Sequence, residues 1–160
     1  MSNEPHPIHV RLEQDADFAF RISFPGTDLD GLLSDESPPL GQGSGPGPDQ
    51  LLLAAVANCL VASLLFALRK HRNSADGLVA EVTATPMRND AGRLRIPRAQ
   101  VTLHLPGQNA EFNNLERVLA QFEEFCVVTQ SVRQGIEVDV SVLDSDGRVL
   151  KGDKSFEAGA

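Results

Sequence analysis

Tryptophan and tyrosine are absent from the 160-residue chain, and the aromatic residues, all phenylalanine, make up only 5% of it. The aromatic platforms on which nucleic-acid bases usually stack are therefore largely missing. Positive charge is also scarce: 14 Lys and Arg stand against 22 Asp and Glu, for a formal net charge of -8. With a pI near 4.9, the chain repels phosphate backbones and anionic membrane surfaces at long range. Neither nucleic acid nor a membrane is an expected partner, and a small neutral or amphipathic ligand is favoured. Cysteine is limited to Cys59 and Cys126. Two cysteines cannot build a disulfide framework or a four-cysteine zinc site. His6, His9, His71 and His104 are scattered, with no i,i+4 pair and no Cys-His spacing, so no metal site is expected. The opening residues MSNEPHPIHV show neither the basic stretch nor the apolar core of a secretory signal, and a reducing, cytoplasmic location is expected.

What is present reads as alternating strands and helices. Ile8–Leu12 alternates apolar and polar residues and predicts a strand. A turn at Asp15–Asp17 follows, and Phe18, Phe20, Ile22 and Phe24 then recur at every second position, the pattern of a strand with one apolar face. The two form a hairpin, with a third short strand near Leu29–Ser34. Residues 37–48, SPPLGQGSGPGP, hold no regular element and form an exposed connection, either a plain linker or a flap beside a pocket. No phosphate-cradle motif is present in it.

Pro48 and Asp49 stand where a helix favours proline and an acid, in its first turn. Residues 51–68, LLLAAVANCLVASLLFAL, carry no charge, and Arg69, Lys70, His71 and Arg72 close the run as cations do at a helix C-terminus. Its polar residues and alanines, and its place between strand-like segments, favour a buried central helix over a membrane span. A helix apolar all round must be covered on every side, and the simplest cover for its second face is the same helix of another subunit.

Past Asp76-Gly77, strands are expected at Leu78–Thr85 and Ala99–Leu105, with a polar turn at Arg88–Gly92. Phe112, Leu115, Val118, Leu119, Phe122 and Phe125 predict one amphipathic helix of about four turns, with Cys126 at its end. A short turn or helix, Val127–Gln134, leads to a closing strand at Ile136–Leu143. The order argues for an α+β fold in one domain, residues 1–160, with antiparallel sheets packed on two main helices. Residues 1–7 and 144–160 are polar and expected to be loose.

Taken alone, each cysteine is either an inert buried thiol or a reactive one, and reactivity requires a nearby cation or helix N-terminus. Two segments bear on the choice. GSGPGPDQLLLAAVANCLVASL (residues 43–64) resembles the signature of the OsmC/Ohr family, a glycine-rich loop followed by a helix carrying a cysteine. FCVVTQSVRQGIEVDV (residues 125–140) resembles that family's second cysteine motif, with Val127 in place of the usual proline and Thr129 in place of the usual serine. The resemblance implies an OsmC-like fold, an intertwined homodimer with the long helices at its centre, and an antioxidant thiol peroxidase preferring organic hydroperoxides. It implies that Cys59 is the peroxidatic cysteine and Cys126 the resolving one, with a lipoyl-type or other dithiol as reductant and no metal or organic cofactor in the protein.

The family pattern also has an acid ten residues before the first cysteine that holds an arginine beside the thiolate. Asp49 matches the acid. Ten helical residues separate it from Cys59 by about 15 Å, so a shared site would draw Asp49 from the partner subunit. By itself, Asp49 is equally read as a helix-dipole partner. Arg21, on the polar face of its strand, is the candidate arginine, or else a solvated strand charge; Arg133 is a second source of positive charge near Cys126. Two other functions stay open: a non-catalytic dimeric scaffold binding an apolar small molecule, and a redox sensor without turnover.

Overall fold

The computed structural model describes residues 7–152; the expectation of loose ends at residues 1–6 and 153–160, and His6 with it, lies outside that span. The chain divides near Leu52 into two compact units.

In the first unit, strands β1 (Arg11–Ala16), β2 (Ala19–Ser23) and β3 (Leu32–Ser34) form one antiparallel sheet in the order β1-β2-β3. The expected hairpin is there, but β1 begins and ends later than the alternation at Ile8–Leu12 suggests. The reversal is made at Asp17, whose φ of 44° is left-handed, a conformation aspartate tolerates better than most residues. The register Leu12↔Ile22 and Phe20↔Ser34 puts Ile22 in a buried position while Phe18 and Phe20 remain partly exposed. The connection after β3 is irregular, as expected, yet it is well organised. Asp35 is buried, and its Oδ2 accepts the backbone N–H groups of Gln42 and Ser44, each at 3.0 Å. Hydrogen bonds to the charged form, the Ser44 amide foremost, hold the Asp35 carboxyl below the ordinary range despite its desolvation. A Cβ at Gly41 or Gly45 would collide with the carbonyls of Glu36 and Leu33, so the loop's glycines serve close backbone approach.

Helix α1 runs from Pro48 to Lys70. Gly47 precedes it, and Gln50 reaches back to accept the Gly47 N–H at 2.9 Å, half of a capping box. At its other end Arg72 takes φ 60°. Asn73 N–H donates to the Leu68 carbonyl and Arg72 N–H to that of Arg69, the paired bonds of a Schellman motif. The helix is long and apolar enough to cross a membrane, with a mean hydropathy of 2.5 over its best window, but Val56, Ala57, Leu60, Leu64, Ala67 and Leu68 are buried in the core of the second unit. Full cover is not reached within one chain: Ala54, Ala55, Asn58, Ala62 and Phe66 are exposed, at the three- and four-residue spacings of a single helix face.

The second unit continues with β4 (Val79–Ala84), β5 (Met87–Arg88), β6 (Leu94–Arg95) and β7 (Arg98–His104). Residues around the expected polar turn form a small hairpin, β5 with β6. Then come α2 (Leu115–Gln121), a 3₁₀ turn (Phe122–Phe125), α3 (Val127–Val132), β8 (Glu137–Leu143) and β9 (Val149–Lys151). The main sheet has the order β4-β7-β8-β9. The second unit departs from the sequence expectations at three points.

First, the sheet is mixed, because β8 lies parallel to β7, in register Arg98↔Glu137 to His104↔Leu143. The helical segment between them is the long crossover that a parallel pair needs. Second, β9 falls inside the stretch expected to be loose. Lys151 fixes it, donating to the Leu119 carbonyl at 2.8 Å and lying over the Phe122 ring. Third, the single four-turn helix starts late and tightens early. Asn73 clamps the Asn113 backbone from both sides, donating to its carbonyl and accepting its N–H. Asn114 then turns left-handed at φ 53°, which keeps Phe112 out of the helix.

The core joins α1 to Val101, Leu103 and Leu105 of and after β7, Val138 and Val142 of β8, and Leu115, Val118, Leu119 and Phe122 of the α2 region. Cys126 is part of it.

Candidate active site

Cys59 lies midway along α1, one residue before the fully buried Leu60, and is itself partly buried. Cys126 leaves the 3₁₀ turn with φ -84° and ψ 95° and is completely buried. Its side chain lies in the core, as its place four residues after the buried Phe122 leads one to expect. Both thiols are free, and Cys59 is near enough to Cys126 to act on its ionisation. The Cys126 sulfhydryl also donates to Thr129 Oγ1 at 2.9 Å, inside α3, and Thr129 is fully buried.

Burial pushes the Cys126 thiol up from its ordinary range, and the neighbouring Cys59 adds to that; the Thr129 hydroxyl and amide act in the opposite direction. Two neighbouring reduced sulfurs among apolar groups can be joined by a two-electron oxidation.

The other residues singled out from sequence have local partners of their own. Arg133 is engaged elsewhere: it pairs with Glu123 and donates to the Val138 carbonyl at 3.3 Å. Lys151 holds the other oxygen of Glu123. Arg21, on β2, is half exposed and pairs with Asp15 at 3.5 Å. Asp49 is exposed in the first turn of α1, where its Oδ1 accepts the Gln50 N–H at 2.8 Å. Among the described residues Arg21 and Asp49 form no ion pair with each other. Arg21 and Arg133 were visible in the sequence, but the partner of each was not: Asp15 stands where the hairpin register shifts, and Glu123 in the tightened turn.

The triad of Glu123, Arg133 and Lys151 is a structural feature that sequence spacing does not show. It ties the turn before Cys126 to the start of β8 and to β9. Burial alone would raise the Glu123 carboxyl, but Lys151 and Arg133 outweigh it and hold the group below the ordinary carboxylate range. A folded-state value below the unfolded one stabilises the fold fully above the unfolded pKa, and that contribution is lost as pH falls through the folded value. Glu123→Gln leaves two cations facing each other and is expected to cost about 2 kcal/mol at neutral pH. Urea unfolding of both proteins at pH 7 and below pH ~3 checks this, the difference shrinking in acid.

Residues 41–141 match the family described as OsmC-like protein. The chain belongs to the OsmC-like protein family. Organic hydroperoxide resistance protein-like 1 of Staphylococcus saprophyticus is a relative, 30% identical over 103 residues, covering 64% of this chain and 72% of that protein. Solved structures share the OsmC-like fold. A hypothetical protein from Aquifex aeolicus VF5 superposes with a TM-score of 0.71 at 15% identity, covering 88% of this chain and 98% of that one. An organic hydroperoxide resistance protein OsmC from Legionella pneumophila gives 0.65 at 17%, covering 88% and 98%. OhrB of Bacillus subtilis gives 0.63 at 18%, covering 86% and 98%. The α+β class and the family expected from the two cysteine motifs therefore hold.

Proposed function

We propose that this OsmC-like protein is a cysteine-based reductase of organic hydroperoxides. The observation that carries the reading is the adjacency of Cys59 and Cys126, two free thiols from distant parts of the chain. Cys59, the more accessible, attacks the distal oxygen of ROOH as thiolate. The O–O bond breaks, ROH leaves, and Cys59 becomes a sulfenic acid. Cys126 condenses with it to a disulfide and water. An external dithiol, of lipoyl type or smaller, reduces the disulfide by exchange. The relative's name, organic hydroperoxide resistance protein-like 1, supports the substrate class, and the apolar surroundings of both sulfurs suit an alkyl peroxide better than hydrogen peroxide. Catalysed loss of cumene hydroperoxide with a dithiol, absent in Cys59→Ser, tests the assignment.

The family match runs through the division at Leu52, which supports treating the chain as one functional domain. A second copy covering the exposed stripe of α1 completes the proposal. Phe66 is 62% exposed there, and an open groove of about 390 Å³ beside it is lined by Asn58, Val61, Ala62, Leu65 and Leu78. In such a dimer Asp49 of one copy is free to serve the other copy's cysteine, with Arg21 or another cation beside it. Sedimentation equilibrium is expected to give twice the chain mass, and Phe66→Asp to give a monomer by burying a charge in the interface; a monomeric parent protein would contradict the dimer.

The second reading, a dimeric scaffold that binds an apolar small molecule without turnover, is favoured by one observation: the candidate arginine Arg21 is paired with Asp15. It expects ligand binding to survive Cys59→Ala.

A further inference from the structure

The resolving step has a chemical difficulty that the peroxidatic step does not share. Cys126 must attack as a thiolate, yet its sulfur is wholly buried among apolar groups. Arg133, the cation nearest in sequence, is committed to Glu123. Thr129 is the polar side chain that reaches this sulfur, at 2.9 Å. It is fully buried, so no water screens the contact. It is also fixed in place: the Gln130 N–H donates to the Cys126 carbonyl and the Arg133 N–H to the Thr129 carbonyl, and so the one turn of α3 that carries Thr129 also holds Cys126.

We infer that Thr129 is the positioning residue of the resolving step, directing Cys126 Sγ toward Cys59 and donating its hydroxyl proton to the thiolate as it forms. The inference rests on the reading of Cys59 and Cys126 as a redox pair.

In the resting protein the sulfhydryl donates and Thr129 Oγ1 accepts. A hydroxyl has a donor and two acceptor positions and rotates freely about its C–O bond. When Cys126 loses its proton the roles exchange, with no change in the heavy-atom positions, and the oxygen donates to the sulfur anion. A charge-assisted hydrogen bond in a dry site is the stronger kind. The thiolate electron pair then forms the S–S bond. The S–O bond of the Cys59 sulfenic acid breaks, and the hydroxide that leaves takes up the proton Cys126 released, departing as water. Cys126 is oxidised and the Cys59 sulfenic sulfur is reduced to the disulfide level; the hydroperoxide has already served as oxidant.

Thr129→Val keeps the shape and removes the hydroxyl; Thr129→Ser keeps the hydroxyl. After one equivalent of cumene hydroperoxide, samples quenched over time with dimedone and with a maleimide report the Cys59 sulfenic acid and the disulfide separately. Thr129→Val is expected to slow disulfide formation at pH 7 about tenfold or more, with dimedone-reactive Cys59 accumulating, hydroperoxide consumption unchanged, and the pH profile of the resolving step moved to higher pH. Thr129→Ser is expected to return the rate to within about threefold of the parent and restore the profile. A valine variant with the parent's rate at every pH, or a serine variant no better than valine, overturns the inference.

A second measurement does not depend on peroxidase activity. In Cys59→Ser the one remaining thiol is Cys126, and the chain has no Tyr or Trp to mask thiolate ultraviolet absorbance. Adding Thr129→Val is expected to move the titration midpoint of Cys126 upward, and adding Thr129→Ser to leave it nearly in place; an unchanged midpoint in the valine variant overturns the inference. If the parent consumes no hydroperoxide, the peroxidase reading fails while this titration still decides the role of Thr129. Should valine prevent folding, Thr129→Ala takes its place in both measurements with the same expected direction.

Discussion

Cys59→Ser is expected to reduce turnover of cumene hydroperoxide to the uncatalysed background, a loss of roughly a thousandfold or more, as when a nucleophile is removed from an enzyme that works through it. A serine hydroxyl is not ionised near neutral pH and cannot carry the sulfenic acid on which the second half of the cycle depends. The loss is expected in kcat/KM at every dithiol concentration, because the step removed precedes the reductant. The fold should survive. Cys59 is only partly buried, and its neighbours Val56, Leu60 and Leu64 hold α1 against the sheet without it. A drop in activity accompanied by a large drop in thermal midpoint would point to structure instead, so the two are measured together.

Cys126→Ser is expected to give a different outcome. The first turnover should proceed, since Cys59 and its surroundings are intact, and one equivalent of hydroperoxide should be consumed. The product should then differ from that of the parent. Mass analysis is expected to show one added oxygen on Cys59 where the parent loses two hydrogens to a disulfide. With excess hydroperoxide the variant should progress to sulfinic and sulfonic acid and stop, because no neighbouring thiol traps the sulfenic acid. Steady-state turnover with dithiol is expected to fall about tenfold or more, the residual rate depending on how well the external thiol reaches a half-buried sulfur directly. A variant that resolves its sulfenic acid as fast as the parent would mean that the sulfur beside Cys59 takes no part.

Local signals in the sequence carried some of this and long-range partners hid the rest. Helix α1 was legible because eighteen uncharged residues are bracketed by Pro48 and Asp49 on one side and by Arg69, Lys70 and Arg72 on the other. Such signals act within one turn of the chain. The hairpin of β1 and β2 was legible from Phe18, Phe20 and Ile22, but its bounds were not, because they depend on Asp17 taking a left-handed conformation. The parallel pairing of β7 and β8 has no local signature; alternation at Ile136–Leu143 is compatible with either direction. The strand β9 was hidden because its anchor, Lys151 on Glu123 and the Leu119 carbonyl, lies far away in sequence. The helix expected from Phe112 loses its first turn to a clamp from Asn73, forty residues upstream.

The site shows the same division. That the chain carried two cysteines of the family's spacing could be read directly, and their side chains are neighbours in the fold. Thr129, three residues beyond Cys126, was visible as a departure from the motif's serine but carried no role until its hydroxyl was found on the sulfur. The partners of the cations were hidden as well. Arg133 stands near Cys126 in sequence, yet Glu123 takes it, because a partly buried carboxylate competes for a guanidinium better than a neutral thiol does.

The most direct test is oxidation of the reduced parent protein by one equivalent of cumene hydroperoxide, followed by alkylation and peptide mapping by mass. One Cys59–Cys126 disulfide within a single chain, reopened by a dithiol, is the expected product. Two thiols still open to alkylation, or a bridge joining separate chains, would contradict it.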